Sequence, residues 1–235
     1  MKKFVLIALG LCLFNCSSDN DTDTPETSDN TSIRLKTITD SYGKVTTLYY
    51  NNANILIESE EVDEGLSTKK KYIYKDDKLV GQDNYINNED IVNESLYYTY
   101  SDDLITESSG YQNGILYTHI YKYNNLNQLI SDTQYNDDKF CCESNYTYNT
   151  NGNVEALIRN GNTTTYQYDD QKNPYHYIYN SAILKIHTVT KNNITSTSSG
   201  AEYSYKYNNE GYPIEINRPT GETIKIMEYE TYKLK

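Results

Sequence analysis

One motif constrains this chain more than any other. Tyr-x-Tyr pairs recur at Tyr72/Tyr74, Tyr98/Tyr100, Tyr121/Tyr123, Tyr146/Tyr148, Tyr166/Tyr168 and Tyr205/Tyr207, with Leu48/Tyr50 as a degenerate first copy. Counted on the second member, the spacings are 24, 26, 23, 25, 20 and 39 residues. A period of this size marks a repeat architecture. The long last interval holds an extra segment over residues 182–199.

The residues after each pair say what the repeat is. They read Asn51-Asn52-Ala53-Asn54, Asn124-Asn125-Leu126-Asn127, Asn149-Thr150-Asn151-Gly152, Asp169-Asp170-Gln171-Lys172 and Asn208-Asn209-Glu210-Gly211. An Asn or Asp at the front caps a turn with its own side chain. A hairpin loop made of a type I turn and a G1 bulge needs positive φ at the fourth position, which Gly and Asn tolerate. Lys172 is the exception. Two residues on, Leu56, Leu129, Val154, Pro174 or Pro213 starts the return strand. Each repeat is therefore a β-hairpin, and both tyrosines of a pair lie on one face of their strand. No stretch after residue 16 carries a helical period. The fold class is all-β: an antiparallel up-and-down sheet of about eight hairpins, strongly twisted or curled into an open or closed barrel.

The chain divides into three parts. Residues 1–15 are a lipoprotein signal peptide, with Lys2 and Lys3 before an apolar run from Phe4 to Phe14 that is too short to span a bilayer. Residues 16–32 form an acidic tether that has nothing to bury before Ile33. Residues 33–235 are the Tyr-rich repeat domain. The leader ends in Leu13-Phe14-Asn15-Cys16, which resembles a lipobox, although Asn15 departs from the usual small residue. The resemblance implies Cys16 as the lipid-attachment residue and the membrane as a partner through that anchor. Several acyl chains on one Cys hold durably where a single chain does not. The acidic run after Cys16 resembles the surface-export signal of Bacteroidota lipoproteins, which implies the outer membrane, facing the cell exterior.

The formal net charge is −12 and becomes −14 without Lys2 and Lys3. A surface so negative repels phosphate backbones, so no nucleic acid is expected as a partner. Glycan, lipid or protein remain candidate ligands.

The repeats resemble the YD (RHS) repeat, in which Tyr-x-Tyr precedes an Asp/Asn-Gly turn and a Leu or Val. The match covers about residues 45–230. RHS hairpins form strips that spiral into shells around a cargo, but this chain has too few hairpins and no long C-terminal segment for that plan. It is more similar to short Bacteroidota lipoproteins with a leader, an acidic tether and porin-like antiparallel sheets.

Candidate chemistry is sparse, and no catalytic residue, cofactor or metal site is assigned. His119, His176 and His187 show no metal-ligand spacing with one another or with a Cys. The acidic pairs Glu60/Glu61, Asp76/Asp77, Asp102/Asp103, Asp137/Asp138 and Asp169/Asp170 read first as turn residues. Cys141-Cys142 sits in a strand, where neighbours point to opposite faces. Inert thiols, a vicinal bridge and pairing between molecules all remain open. The tyrosine rows either hold the sheet together or offer an aromatic platform for flat ligands. The expected function is a non-enzymatic surface lipoprotein acting as a binding or structural scaffold. The alternatives are a carrier enclosing an apolar ligand in the curled sheet and a glycan-active hydrolase. A His–Asp pair in a cleft would favour the hydrolase.

Overall fold

The structure, a computed structural model, describes residues 31–87, 92–178, 185–187 and 189–233. The signal peptide, Cys16 and most of the tether lie outside the described residues, as does much of 179–184 in the extra segment. Sixteen strands form a single antiparallel sheet. In chain order they are β1 (Thr31–Asp40), β2 (Val45–Tyr50), β3 (Leu56–Asp63), β4 (Leu66–Lys75), β5 (Lys78–Ile86), β6 (Glu94–Ser101), β7 (Leu104–Gln112) and β8 (Ile115–Tyr123). They continue with β9 (Leu129–Asn136), β10 (Lys139–Tyr148), β11 (Val154–Arg159), β12 (Asn162–Tyr168), β13 (Ile194–Thr197), β14 (Ser204–Tyr207), β15 (Pro213–Asn217) and β16 (Thr223–Lys233). One short helix, α1 (Tyr175–Ile178), stands between β12 and β13. The strand β1 starts at Thr31, two residues ahead of the expected domain start at Ile33.

Except between β13 and β14, each strand pairs with its chain neighbours, and β1 also pairs with β16 over Thr31–Asp40. That last pairing curls the sheet into a nearly closed barrel. One seam stays unsealed, between β13 and β14, where the ladder shrinks to the single bridge Ser196–Glu202. The expected up-and-down sheet of eight hairpins is thus realised in its nearly closed form.

The turns are built as the spacing predicts. Asn54, Asn127, Gly152 and Gly211 all have positive φ. In these loops the leading Asn accepts two backbone N–H groups on its side chain, as when Asn124 Oδ1 takes the amides of Leu126 and Gln128. Asp76-Asp77 of the β4–β5 loop, on the same rim, and the two-residue turns Asn113-Gly114, Asp137-Asp138 and Asn160-Gly161 of the opposite rim all have positive φ. This is the geometry that a twisted two-residue hairpin demands.

The tyrosine pairs face the lumen, and the residue between each pair faces out. Leu79, Tyr98, Ile105, Tyr121 and Leu129 form one buried cluster with Ile186, and Leu35, Leu48, Leu56 and Met227 form a second with Ile178. The outer faces of the strands carry Glu58, Glu60, Lys71, Glu107, Lys122 and Glu228. Ion pairs such as Lys206–Glu215 at 2.7 Å cross them. A lipid-facing barrel needs an apolar outer band, which these charged side chains interrupt. Of the two readings of the tyrosine rows, the paired tyrosines fit the one in which they hold the sheet together, because their rings line the inside.

The second tyrosine of each pair does more than pack. The hydroxyls of Tyr50, Tyr74, Tyr100, Tyr123, Tyr148, Tyr168 and Tyr229 donate to the carbonyls of Leu35, Leu56, Leu79, Ile105, Leu129, Val154 and Pro213, at 2.6–2.9 Å. Every acceptor is a buried apolar residue, and all but Leu35, in the middle of β1, begin their strand or lie second in it. The ring fills the core while its tip satisfies a carbonyl freed where the bulge interrupts the ladder, which a Phe could not do.

Candidate functional site

The lumen is the place where chemistry-bearing side chains meet. Its most unusual occupant is the chain itself. The spacing predicts Pro174 as the start of a return strand, and the structure corrects this. After the turn at 169–172 the chain passes into helix α1, Ile178 and Ile186 pack against the inner wall, and the place beside β12 is taken by β13, some twenty residues later. Lys172 explains the departure in part, since it does not supply the positive φ that closes the other loops. Asp169 is capped instead by Asn193, whose backbone N–H and side-chain amide both reach the Asp169 carboxylate.

The neck of the inserted segment is held by asparagines. Buried Asn153 donates to Asn192 and accepts the backbone N–H of Lys191, while Asn173 donates to the Thr190 carbonyl. Further in, Ile178 and Ile186 plug the two apolar clusters. Sequence reasoning missed Asn153. The only available signal was an Asn directly after the loop glycine, where other copies carry Ile55, Gln128 or Tyr212.

Strand register places a polar grid on the wall. His119, Gln134 and Cys142 lie side by side on β8, β9 and β10, and Tyr121, Asp132, Ser144 and Arg159 form the adjacent row. His119 Nδ1 is 2.9 Å from Asp132 Oδ1, and its ring stacks against Tyr121 with centroids 6.0 Å apart. This His–Asp pair was not legible in the sequence, because the two residues lie 13 apart on neighbouring strands. It can orient an imidazole. However, Ser108, the hydroxyl residue opposite His119, is bonded to the Tyr121 hydroxyl at 2.8 Å. Among the described residues, no Ser, Thr or Cys hydrogen-bonds the other ring nitrogen of His119. His187 of the inserted segment stays exposed to the lumen, and desolvation, reinforced by Lys70, pushes its imidazole down. Burial also pushes His176 down.

The register shift between Phe140 and Cys142 leaves Cys141 on a bulge. Cys141 is exposed and Cys142 buried, and both are free thiols. Arg159 donates to Cys142 Sγ at 3.2 Å. The proximity of Cys142 raises the Cys141 thiol above its usual value, which is the opposite of what a reactive cysteine needs.

The acidic pairs separate by position. Asp76/Asp77, Asp102/Asp103 and Asp137/Asp138 are turn residues. Glu60 and Glu61 occupy alternate faces of β3, and Glu61 lines a lumen cavity of about 470 Å³ together with Lys70, Asn84, Glu94, Tyr72 and Tyr175.

Comparison with known proteins bears on the fold alone. No family model matches the chain, and no curated protein matches it. Among solved structures, it is similar to a porin-like protein from Bacteroides uniformis ATCC 8492 with a TM-score of 0.50 and 16% identity, over 89% of this chain and 98% of that one. The TcdB2-TccC3-Cdc42 structure aligns at a TM-score of 0.35 and 16% identity, over 84% of this chain and 12% of that one.

Proposed function

We propose that this protein is a non-enzymatic, lipid-anchored scaffold of the bacterial surface, built from YD-type hairpins. The observation that carries the reading is that the chain itself fills the apolar clusters of the lumen. Ile178 and Ile186 occupy the apolar clusters that an enclosed hydrophobic ligand would need, which argues against an apolar carrier. The engaged Ser108 and the raised thiol of Cys141 leave the His119–Asp132 pair without an aligned nucleophile, which argues against a hydrolase. The charged outer face fits a barrel held beside a membrane by a tether rather than inserted through it. Cys16 supplies the attachment, and the acidic run behind it supports export to the exterior.

The test is fractionation of cells expressing the full chain with a labelled fatty acid. The unaltered protein is expected in the membrane fraction carrying label. Cys16→Ala is expected unlabelled and released. Retention of Cys16→Ala in the membrane would overturn the anchor.

A further inference from the structure

The 470 Å³ cavity sits within the range of small-molecule sites. Its polar wall is unusual. Register sets Ser59, Lys70, Asn84 and Glu94 in a row across β3, β4, β5 and β6. Lys70 is mostly buried, and among the described residues no carboxylate lies within ion-pair distance of its ammonium. Glu61, the nearest acid that acts on it, is paired instead with Lys44 at 3.2 Å. Burial pushes the Lys70 ammonium down, and no ion pair among the described residues offsets that partial loss of water. A partly desolvated charge is costly unless something pairs with it. Asn84, directly opposite Lys70, keeps a buried side-chain oxygen with no hydrogen-bond partner. Unmet buried polar atoms are rare in folded interiors, and one set opposite a cation that has no ion pair points to a missing ligand on this cavity wall. Glu94 stands at the other end of the row, two strands from Lys70, or roughly 10 Å at the usual strand spacing.

We propose that this cavity binds a small carboxylate that carries hydrogen-bond donors at its far end, the carboxylate on Lys70 and the donors toward Asn84 and Glu94. Tyr72 and Tyr175 supply flat apolar walls for the body of such a molecule. The donors could be the hydroxyls of a sugar acid or the ammonium of an amino acid, and the two are separated by experiment. The inference rests on the binding-scaffold reading above and does not depend on the anchor at Cys16.

The test is calorimetric titration of the full-length protein with glucuronate, γ-aminobutyrate and glucose. Binding of glucuronate assigns the donors to hydroxyls, and binding of γ-aminobutyrate assigns them to an ammonium. Glucose is expected to bind about tenfold more weakly or worse, because it lacks the charge that Lys70 would meet. Lys70→Met is expected to weaken the bound acid by about tenfold or more and to raise the melting temperature, since it removes a partly desolvated charge that has no ion pair. As a check on the unaltered chain, the bound acid should shift the amide resonances of Lys70, Asn84 and Glu94. Binding by neither acid, equal binding of glucose, unchanged affinity in Lys70→Met, or no shift at these three residues would overturn the proposal. Conversion of a bound acid to a new compound would instead sink the non-enzymatic reading.

Discussion

The repeats from β1 to β12 and the stretch from β12 to β14 are built from similar sequence, yet they fold by different rules. In the repeats, each second tyrosine except Tyr50 reaches the carbonyl near the start of the neighbouring hairpin's strand, as Tyr148 does at Leu129. At the seam, Tyr205 takes that role by donating to Ile194, and Tyr207 donates to the Asp169 carboxylate. The cause is strand length. β9 has eight residues before its turn, whereas β13 has four, so the second tyrosine of β14 overshoots the strand start and meets the preceding loop. The regular region is held by many equivalent contacts. The seam is held by a few particular ones, centred on Asp169, Asn193 and Asn153. A repeat array tolerates one irregular unit when specific polar bonds replace the generic ones.

The largest effect expected is alkaline unfolding of the regular region. Burial pushes Tyr74, Tyr100 and Tyr148 up from 10 to about 12. Unfolded tyrosines release their protons from pH 10 upward, while the folded ones hold theirs. The stability they contribute is therefore complete below pH 10 and is lost as pH rises toward 12. Tyrosinate absorbance and circular dichroism should change together there. Tyrosine ionisation that is complete by pH 10.5 with the sheet intact would contradict this sign.

Leu129→Ala, at a fully buried site of the regular wall, should cost about 2–5 kcal/mol in denaturant titration. Ile186→Ala in the inserted segment should cost less, because the segment can release locally while the barrel persists. Amide exchange should then accelerate in 173–193 and leave β8–β10 protected. Equal global destabilisation by both would show that the segment is part of the barrel's cooperative unit.

The hydroxyl bonds sharpen the same contrast. Tyr123→Phe removes a bond to a neutral carbonyl and should cost about 0.5–1.5 kcal/mol, whereas Tyr207→Phe removes one to a carboxylate and should cost about 1.5–3 kcal/mol. The order would reverse if the seam tolerated loss of its Asp169 contact. Smallest of all, Asn127→Ala removes the short polar side chain that eases positive φ and should cost about 1 kcal/mol. Lys172→Ala should be close to neutral in the same assay, because Lys172 has no positive φ to support.

Residues acting through their nearest neighbours made much of this protein legible from sequence. Asn51, Asn124, Asn149 and Asn208 cap loops with their own side chains, and Gly152 and Gly211 permit the left-handed turn, so the hairpins and the common face of each tyrosine pair follow from local backbone chemistry. What lay beyond reach were contacts between residues far apart in the chain. Nothing near Thr31 or Lys233 announces that β1 and β16 zip together, that the paired tyrosines close around the lumen, or that Ile178 and Ile186 enter it. Nor do His119 and Asp132, or Lys70 and Asn84, declare that they will stand side by side. Alternation fixes that a strand has two faces, but only closure of the sheet decides which face is inside. That choice is made by long-range pairing and shared burial, which no short window of sequence contains.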